Sequence, residues 1–283
     1  MPAYEITTED VEYLRHGDKK LVARLYKPKG NGPFPAVIDL HGGAWTSGDL
    51  TGTQGLDETL AKNGFVVASL EFRHNADGYP TSLIDINHAI RWIKAHARDL
   101  KVDPNRIGIG GASSGGHLAM LAAMRPNDQR YASAPLPAGS PAVDATVRAV
   151  AMSWPVINPL SRYRNAQKAA KTPNPPAFSI GMKEKHDLYW KTEAAMAEGN
   201  PMLMLERGEK VTMPPALWLQ GRPDIVHDYH DDDSSFPGNE PERFISNYRN
   251  AGGDIEIVYI DNEKRQSNAS YDPITAFFKK HLG

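Results

Sequence analysis

Apolar residues in this chain gather into short unbroken runs, and between the runs they recur every three or four positions. PFPAVIDLH (33–41), FVVASLEF (65–72), RIGIGG (106–111), VRAVAMSW (147–154), PALWLQG (215–221) and DIEIVYI (254–260) each predict a strand. Their near-continuous hydrophobicity predicts burial on both faces, because a strand with one wet face alternates. Residues 9–15 and 20–27 read as a hairpin turning near His16-Gly17-Asp18. The intervening segments have helical period. GLDETLAKNG (55–64) closes on Asn-Gly, a helix-stop signal, and SLIDINHAIRWIKAHARDL (82–100) places Ile86, Ala89, Ile90 and Ile93 on one face. SGGHLAMLAAM (114–124) is apolar throughout, and YDPITAFFKKHL (271–282) is amphipathic. The alternation predicts an α/β fold, a mostly parallel sheet of about eight strands flanked by helices.

Two stretches break the alternation. Residues 125–146 form a polar, proline-rich excursion. Residues 155–213 separate two strands by about 59 positions, far beyond an ordinary crossover, and carry helix-like pieces such as HDLYWKTEAAMAEG. The expectation is one domain over 1–283 with 155–213 inserted as a small cap over one end of the sheet; the plainer alternative is a long crossover.

Composition removes several classes of function. The 32 basic and 34 acidic residues leave a net charge of -2, without the basic excess of a nucleic-acid binder. No cysteine is present, so disulfides, thiolate nucleophiles and zinc–thiolate sites are excluded. MPAYEITTED lacks the basic and apolar regions of a secretory signal, and no run approaches a membrane span. These features predict a cytoplasmic protein with no membrane or nucleic-acid partner. Neither a dinucleotide fingerprint nor a P-loop is visible, so no cofactor is expected.

The chemistry concentrates in two glycine-rich turns. Gly111-Ala112-Ser113-Ser114-Gly115 matches G-x-S-x-G, with an apolar strand before it and an apolar helix after it. A nucleophile elbow requires that setting: the sharp turn lifts a serine hydroxyl above the sheet, and small flanking residues let strand and helix pass closely. The helix N-terminus adds positive potential beside a developing oxyanion. The second turn, His41-Gly42-Gly43-Ala44-Trp45, follows the 33–41 strand. Successive glycines leave amides free to point inward, so Gly42, Gly43 and the amide of Ser114 are the expected oxyanion hole. His41 is expected to order the loop.

Together HGGAW, FRHNADGYP, the helix over 82–100 and GASSGGH resemble the α/β-hydrolase fold. Within it the chain is similar to the esterase/lipase branch of hormone-sensitive-lipase-like, acetyl-esterase and kynurenine-formamidase-like enzymes. The likeness covers roughly 20–125 well and 210–283 moderately. It implies a small-molecule substrate, a small or medium carboxylic ester or less often an amide or lactone, hydrolysed by a serine, an acid and a histidine in that chain order. Ser113 is the implied nucleophile. Asp224, in the turn after the 215–221 strand, stands where the family carries its carboxylate.

The family histidine falls in the loop after the last strand. Here that loop is DNEKRQSNAS (261–270), which has no histidine and places Arg265 or a neighbour at the matching position. A guanidinium stays protonated and cannot serve as a general base. Three readings follow. His227 or His230, in IVHDYHDDD (225–233), folds back to serve as base, with His227 preferred. Alternatively, Ser113 works without a histidine, or runs lactone, amide or C–C chemistry. Or the chain is a ligand-binding protein on a hydrolase scaffold, as in the plant gibberellin receptors that resemble this family. The His/Asp spacing matches no usual metal-ligand pattern, and no metal is expected. His117, His74 and His281 are expected to be structural; Trp45, Trp154 and Tyr79 are candidates for the pocket mouth or for core packing.

Overall fold

The computed structural model describes residues 3–283. Strands β1 (Ile6–His16) and β2 (Lys19–Pro28) form the hairpin, longer than the sequence pattern indicates and turning over Gly17-Asp18. Then come β3 (Phe34–Leu40), helix α1 (Gln54–Lys62), β4 (Val66–Leu70), and helices α2 (Thr81–Ala95) and α3 (Ala97–Leu100). The single helix expected over 82–100 is thus two pieces, broken at His96. β5 (Val102–Ala112) starts earlier than expected and runs straight into α4 (Ser114–Met124). β6 (Ala149–Ser153) follows the irregular 125–146 stretch. Four helices occupy the next connection: α5 (Pro159–Ala170), α6 (Met182–Trp190), α7 (Glu193–Glu198) and α8 (Pro201–Glu206). β7 (Ala216–Arg222), α9 (Glu240–Asn250), β8 (Ile255–Asp261) and α10 (Asn268–Leu282) complete the chain.

The eight strands form one sheet in the order β1-β2-β4-β3-β5-β6-β7-β8. β1, β2 and β4 pair antiparallel, and β4 through β8 are parallel. Alternate residues of the central strands enter two separate cores. Ile38, Val66, Ala68, Val150 and Trp218 face one; Val37, Val67, Ala151, Leu217 and Leu219 face the other, under α1 and α10. Both faces are dry, which is why the runs lack a polar alternation. Every residue of α4 is buried, so that helix carries no polar stripe either.

The chain reverses its direction across the sheet around β3. β4 lies on one side of β3 and β5 on the other, with Leu40 opposite Gly111. In open α/β sheets such a reversal leaves a crevice beyond the carboxyl ends of the strands. The segments after β3, β5, β6, β7 and β8 all emerge there, carrying Gly42, Ser113, Trp154, Asp224 and Arg265.

Candidate active site

The turn between β5 and α4 is built by steric exclusion. Ser113 has φ 54° and ψ −117°, a left-handed conformation that an L-residue adopts only under constraint, at a cost of about 1–3 kcal/mol. Its amide donates to Ser153 O at 2.9 Å, and its carbonyl accepts from Val156 N at 3.1 Å, so the strained turn is clamped on both sides. Gly115 packs directly on the end of β3: a Cβ there would sit 2.1 Å from Leu40 O. At Gly111 a Cβ would meet the Gly115 backbone at 2.5 Å. Neither position has room for a side chain.

The loop after β3 faces this turn. A Cβ on Gly42 would lie 3.3 Å from Ser113 Cβ, so the loop backbone and the serine approach closely. Gly43 has φ 114°, and a Cβ there would collide with Ser47 O at 2.0 Å. The Gly42 and Gly43 amides make no hydrogen bond among the described residues, and Ser114, in the first turn of α4, has no intrahelical acceptor for its amide. His41 orders the loop: Nδ1 bonds to Gly42 O at 2.8 Å and the ring stacks on Phe72 at 4.4 Å.

Asp224 and His227 share a single turn after β7. Asp224 Oδ1 accepts the amides of Val226 (3.0 Å) and His227 (3.2 Å), and Asp224 O accepts from Asp228 N at 2.9 Å. That turn brings the side chains three residues apart onto one face, and His227 Nδ1 donates to Asp224 Oδ2 at 2.9 Å. With Nδ1 carrying the proton, Nε2 presents its lone pair 3.0 Å from Ser113 Oγ. Both residues are buried, each 8% exposed. Outside the turn, Arg222 bonds Asp228 Oδ2 at 2.6 Å and Asn239 bonds Asp228 Oδ1 at 2.8 Å, tying it to α9.

Arg265, at the position matched to the family histidine, instead ion-pairs with Asp224 Oδ2. Its guanidinium lies over the Trp154 ring, 4.4 Å from the centroid. Gln220, fully buried in β7, donates to the same Oδ2 at 3.0 Å. The electrostatics follow. Burial alone would raise Asp224, but the hydrogen bond and charge of His227, with Arg265 beyond, hold it far below the usual carboxylate range. Burial pushes His227 down to about 4, with the Arg162 and Arg265 charges adding to it and Asp224 opposing. The pair is therefore a carboxylate and a neutral imidazole at neutral pH.

A cleft of about 480 Å³ opens beside Ser113, lined by Gly42, Trp154, Arg265, Tyr271 and Ile274 among others. Of the aromatic candidates only Trp154 lines it. Trp45 is buried with His117, Tyr189 and Trp190, and Tyr79 bonds to Tyr131 at 2.8 Å and stacks on Trp190. His117 is sealed under the elbow between Trp45 Nε1 and Gly199 O. His230 turns away, bonding Gly238 O at 3.0 Å. No group of three or more His, Cys, Asp or Glu among the described residues is arranged to hold a metal.

Two contributors escaped the sequence reading. Gln220 left a signal, a lone amide inside an otherwise apolar strand. Arg162 on α5 left none, since its helix carries several surface cations.

The sequence profile of the BD-FAE family matches residues 24–231, which span the His41–Trp45 loop, the Ser113 turn and the Asp224–His227 turn. The chain belongs to the BD-FAE family. Among curated proteins, this BD-FAE chain is 38% identical over 121 residues to Esterase LipC and 33% identical over 125 residues to Carboxylic ester hydrolase LipN, both of Mycobacterium tuberculosis. Those matches cover 41% and 42% of this chain and 29% and 32% of the relatives, so the chain spans about a third of the curated proteins it matches. Its fold is that of EstE1, a thermostable carboxylesterase cloned from a metagenomic library, with TM-score 0.73 and 22% identity over 99% of this chain and 91% of that one. A bacterial heroin esterase aligns with TM-score 0.72 and 18% identity, over 98% and 85% of the two chains. No helix among the described residues is long and apolar enough to cross a membrane.

Proposed function

We propose that this chain is a serine carboxylic-ester hydrolase working through an acyl-enzyme on Ser113, with a base relocated to His227. One observation carries the reading: an unbroken relay from Ser113 Oγ to His227 Nε2 at 3.0 Å and from His227 Nδ1 to Asp224 Oδ2 at 2.9 Å. Nε2 takes the hydroxyl proton as Oγ attacks the ester carbonyl. The amides of Gly42, Gly43 and Ser114 receive the oxyanion, worth about 2.7–4 kcal/mol per donor in related hydrolytic sites. The imidazolium, held against Asp224, then protonates the leaving alcohol. Water enters, gives its proton to the same nitrogen, and releases the acid. Arg265 keeps Asp224 ionised and in place. The helices of 155–213 form the cap over this end of the sheet.

The ligand-binding alternative drew on the histidine missing from 261–270; His227 supplies an imidazole at the required distance. Hydrolysis of 4-nitrophenyl acetate by the wild type, Ser113→Ala and His227→Ala tests the reading. Each variant is expected to lose about 10³–10⁶-fold in kcat, and the double variant little more, because the two act as one unit. Wild-type turnover equal to that of Ser113→Ala sinks it.

A further inference from the structure

The cleft beside Ser113 runs between two helices. One wall is the segment from Thr51 to Leu56, which leads into the first turn of α1. The other is the start of α10, where Ser270, Tyr271 and Ile274 share one helical face. Among the described residues none of 155–213 lines the cleft, so α1 and α10 shape it rather than the cap.

The two walls meet at Tyr271. A Cβ on Gly55 would lie 2.6 Å from Tyr271 OH, 3.2 Å from Cζ and 3.3 Å from Cε2. The phenol therefore reaches across from α10 and rests on the bare backbone of α1, and a side chain at 55 would push it away. The ring is half-buried and packs on the core that holds Leu56 and Ile274. This contact lies away from the reacting end of the cleft, which Gly42, Ala112 and Ser113 line. Gly52 adjoins that end, since a Cβ there would be 3.7 Å from His41 Cβ. From Gly52 the chain advances into α1 and reaches Gly55 in its first turn. A group entering the cleft from Ser113 thus runs toward Tyr271.

The position of His227 decides which part of an ester enters. The leaving alcohol takes its proton from Nε2, 3.0 Å from Ser113 Oγ, and so lies on the His227 side of the nucleophile. His227 is not among the residues that line the cleft. The acyl group, on the other side of the carbonyl carbon, is the part that extends into it.

We propose that Tyr271 sets the acyl selectivity of this site: its ring closes the cleft between α1 and α10 and limits the length of the acyl group that Ser113 accepts. The inference rests on the hydrolase reading above and adds the arm of the substrate that is selected, and the residue that selects it.

The test is kcat/KM for 4-nitrophenyl butyrate and 4-nitrophenyl octanoate. The wild type is expected to favour the butyrate. Tyr271→Ala should raise the octanoate-to-butyrate ratio by about 15–60-fold, for two to three further methylenes buried at about fourfold each. Tyr271→Leu, which keeps an apolar contact with α1, should raise it by less. Tyr271→Phe should keep the wild-type ratio, because the ring and not the hydroxyl is the barrier. A ratio unchanged in both Tyr271→Ala and Tyr271→Leu overturns the proposal, as does a rise in Tyr271→Phe equal to that in Tyr271→Ala. A fall by the same factor for both esters would mark the tyrosine as structural and overturn it too. Ethyl acetate and hexyl acetate vary the alcohol instead. Their ratio should not respond to Tyr271→Ala, and a response there in place of the acyl series overturns the assignment to the acyl group.

Binding separates this inference from the hydrolase reading. On the Ser113→Ala background, titration calorimetry should show methyl octanoate binding more tightly once Tyr271→Ala is added, and methyl butyrate should show no such gain. That gain, with no turnover of any ester by the wild type, would remove the hydrolase reading and keep Tyr271 as the barrier of a binding cleft. Wild-type turnover, with the acyl ratio and methyl octanoate binding both indifferent to Tyr271→Ala, would do the reverse.

Discussion

Two halves of the crevice are built on different principles. The half proposed to hold nucleophile and oxyanion, residues 40–43 and 111–115, is made of backbone. Its positions are fixed by atoms that cannot move apart without opening the sheet, as the 2.1 Å clearance between a Gly115 Cβ and Leu40 O illustrates. The half proposed to hold acid and base, residues 220–228 and 261–265, is made of side chains reaching a common point. Asp224 Oδ2 gathers His227, Gln220 and Arg265, which come from three places along the chain. A backbone device can be made only one way, whereas a side-chain device needs only an imidazole at the right point and tolerates a change in where it is rooted. On the proposed reading, that tolerance lets the base be rooted in the turn after β7, with Arg265 standing in the loop after β8.

The largest expected effect breaks the rigid half. Gly115→Ala forces a methyl group into the Leu40 and His41 carbonyls, at 2.1 and 2.5 Å. Backbone must shift to accept it, at a cost of about 3 kcal/mol or more, above the usual range for overpacking. The expected outcome is a fall in Tm of at least about 6 °C, taking 2–4 °C per kcal/mol for a chain of this size. Gly52→Ala, where the nearest atom to a new Cβ is 3.5 Å away, should shift Tm far less. Equal effects at the two glycines would mean that the elbow is not sterically locked.

A smaller effect tests the permissive half. Arg265 and His227 both address Asp224 Oδ2, so Arg265→His places a second imidazole on the same acceptor. In the His227→Ala background we expect Arg265→His to recover about 10–100-fold of the lost ester hydrolysis, a fraction of what a well-placed base contributes. Arg265→Gln in that background is the control and should recover nothing. Equal rates for the two would show that the acid and base half is as fixed as the other.

The same division explains what was legible in the sequence. Strands, the elbow and the oxyanion loop were readable because their constraints are local: a run of apolar residues, or a glycine where no Cβ fits. Asp224 was readable by its place after a strand. His227 was visible only as one of two histidines in a polar turn, since nothing in IVHDYH says which ring faces Ser113. The fold decides it, by binding Asp224 Oδ1 to the amides of Val226 and His227 and by sending His230 toward Gly238. The ion pair of Arg265 joins segments 41 residues apart and left no pattern. The break of α2 from α3 at His96 was likewise unreadable, because Ala97 and Leu100 continue the helical period across it.

The gentlest test is pH. The base role proposed for His227 requires the neutral ring, and burial, helped by two nearby guanidinium groups, brings its pKa down to about 4. Asp224 lies lower still, so the carboxylate stays ionised across the same range. The expected kcat/KM profile rises through about pH 4 and is flat from about 5 to 8, instead of rising near 6.5 as for a solvated imidazole. Stability moves with it and must be measured separately. The unfolded chain takes up a proton on this imidazole near 6.5 and the folded one resists until about 4, so the unfolded state binds more protons in between. Stability is therefore full above about 6.5 and falls as the pH drops toward 4, by about 3 kcal/mol from this group alone. His117, held neutral by burial down to about 4, and His186, down to about 3, add to the same decline. A rate that falls below pH 5 while the protein remains folded assigns the limb to His227. Arg162→Met, by removing one of the two cations, should then move the limb upward, whereas a limb that follows the loss of fold would leave the base unassigned to this imidazole.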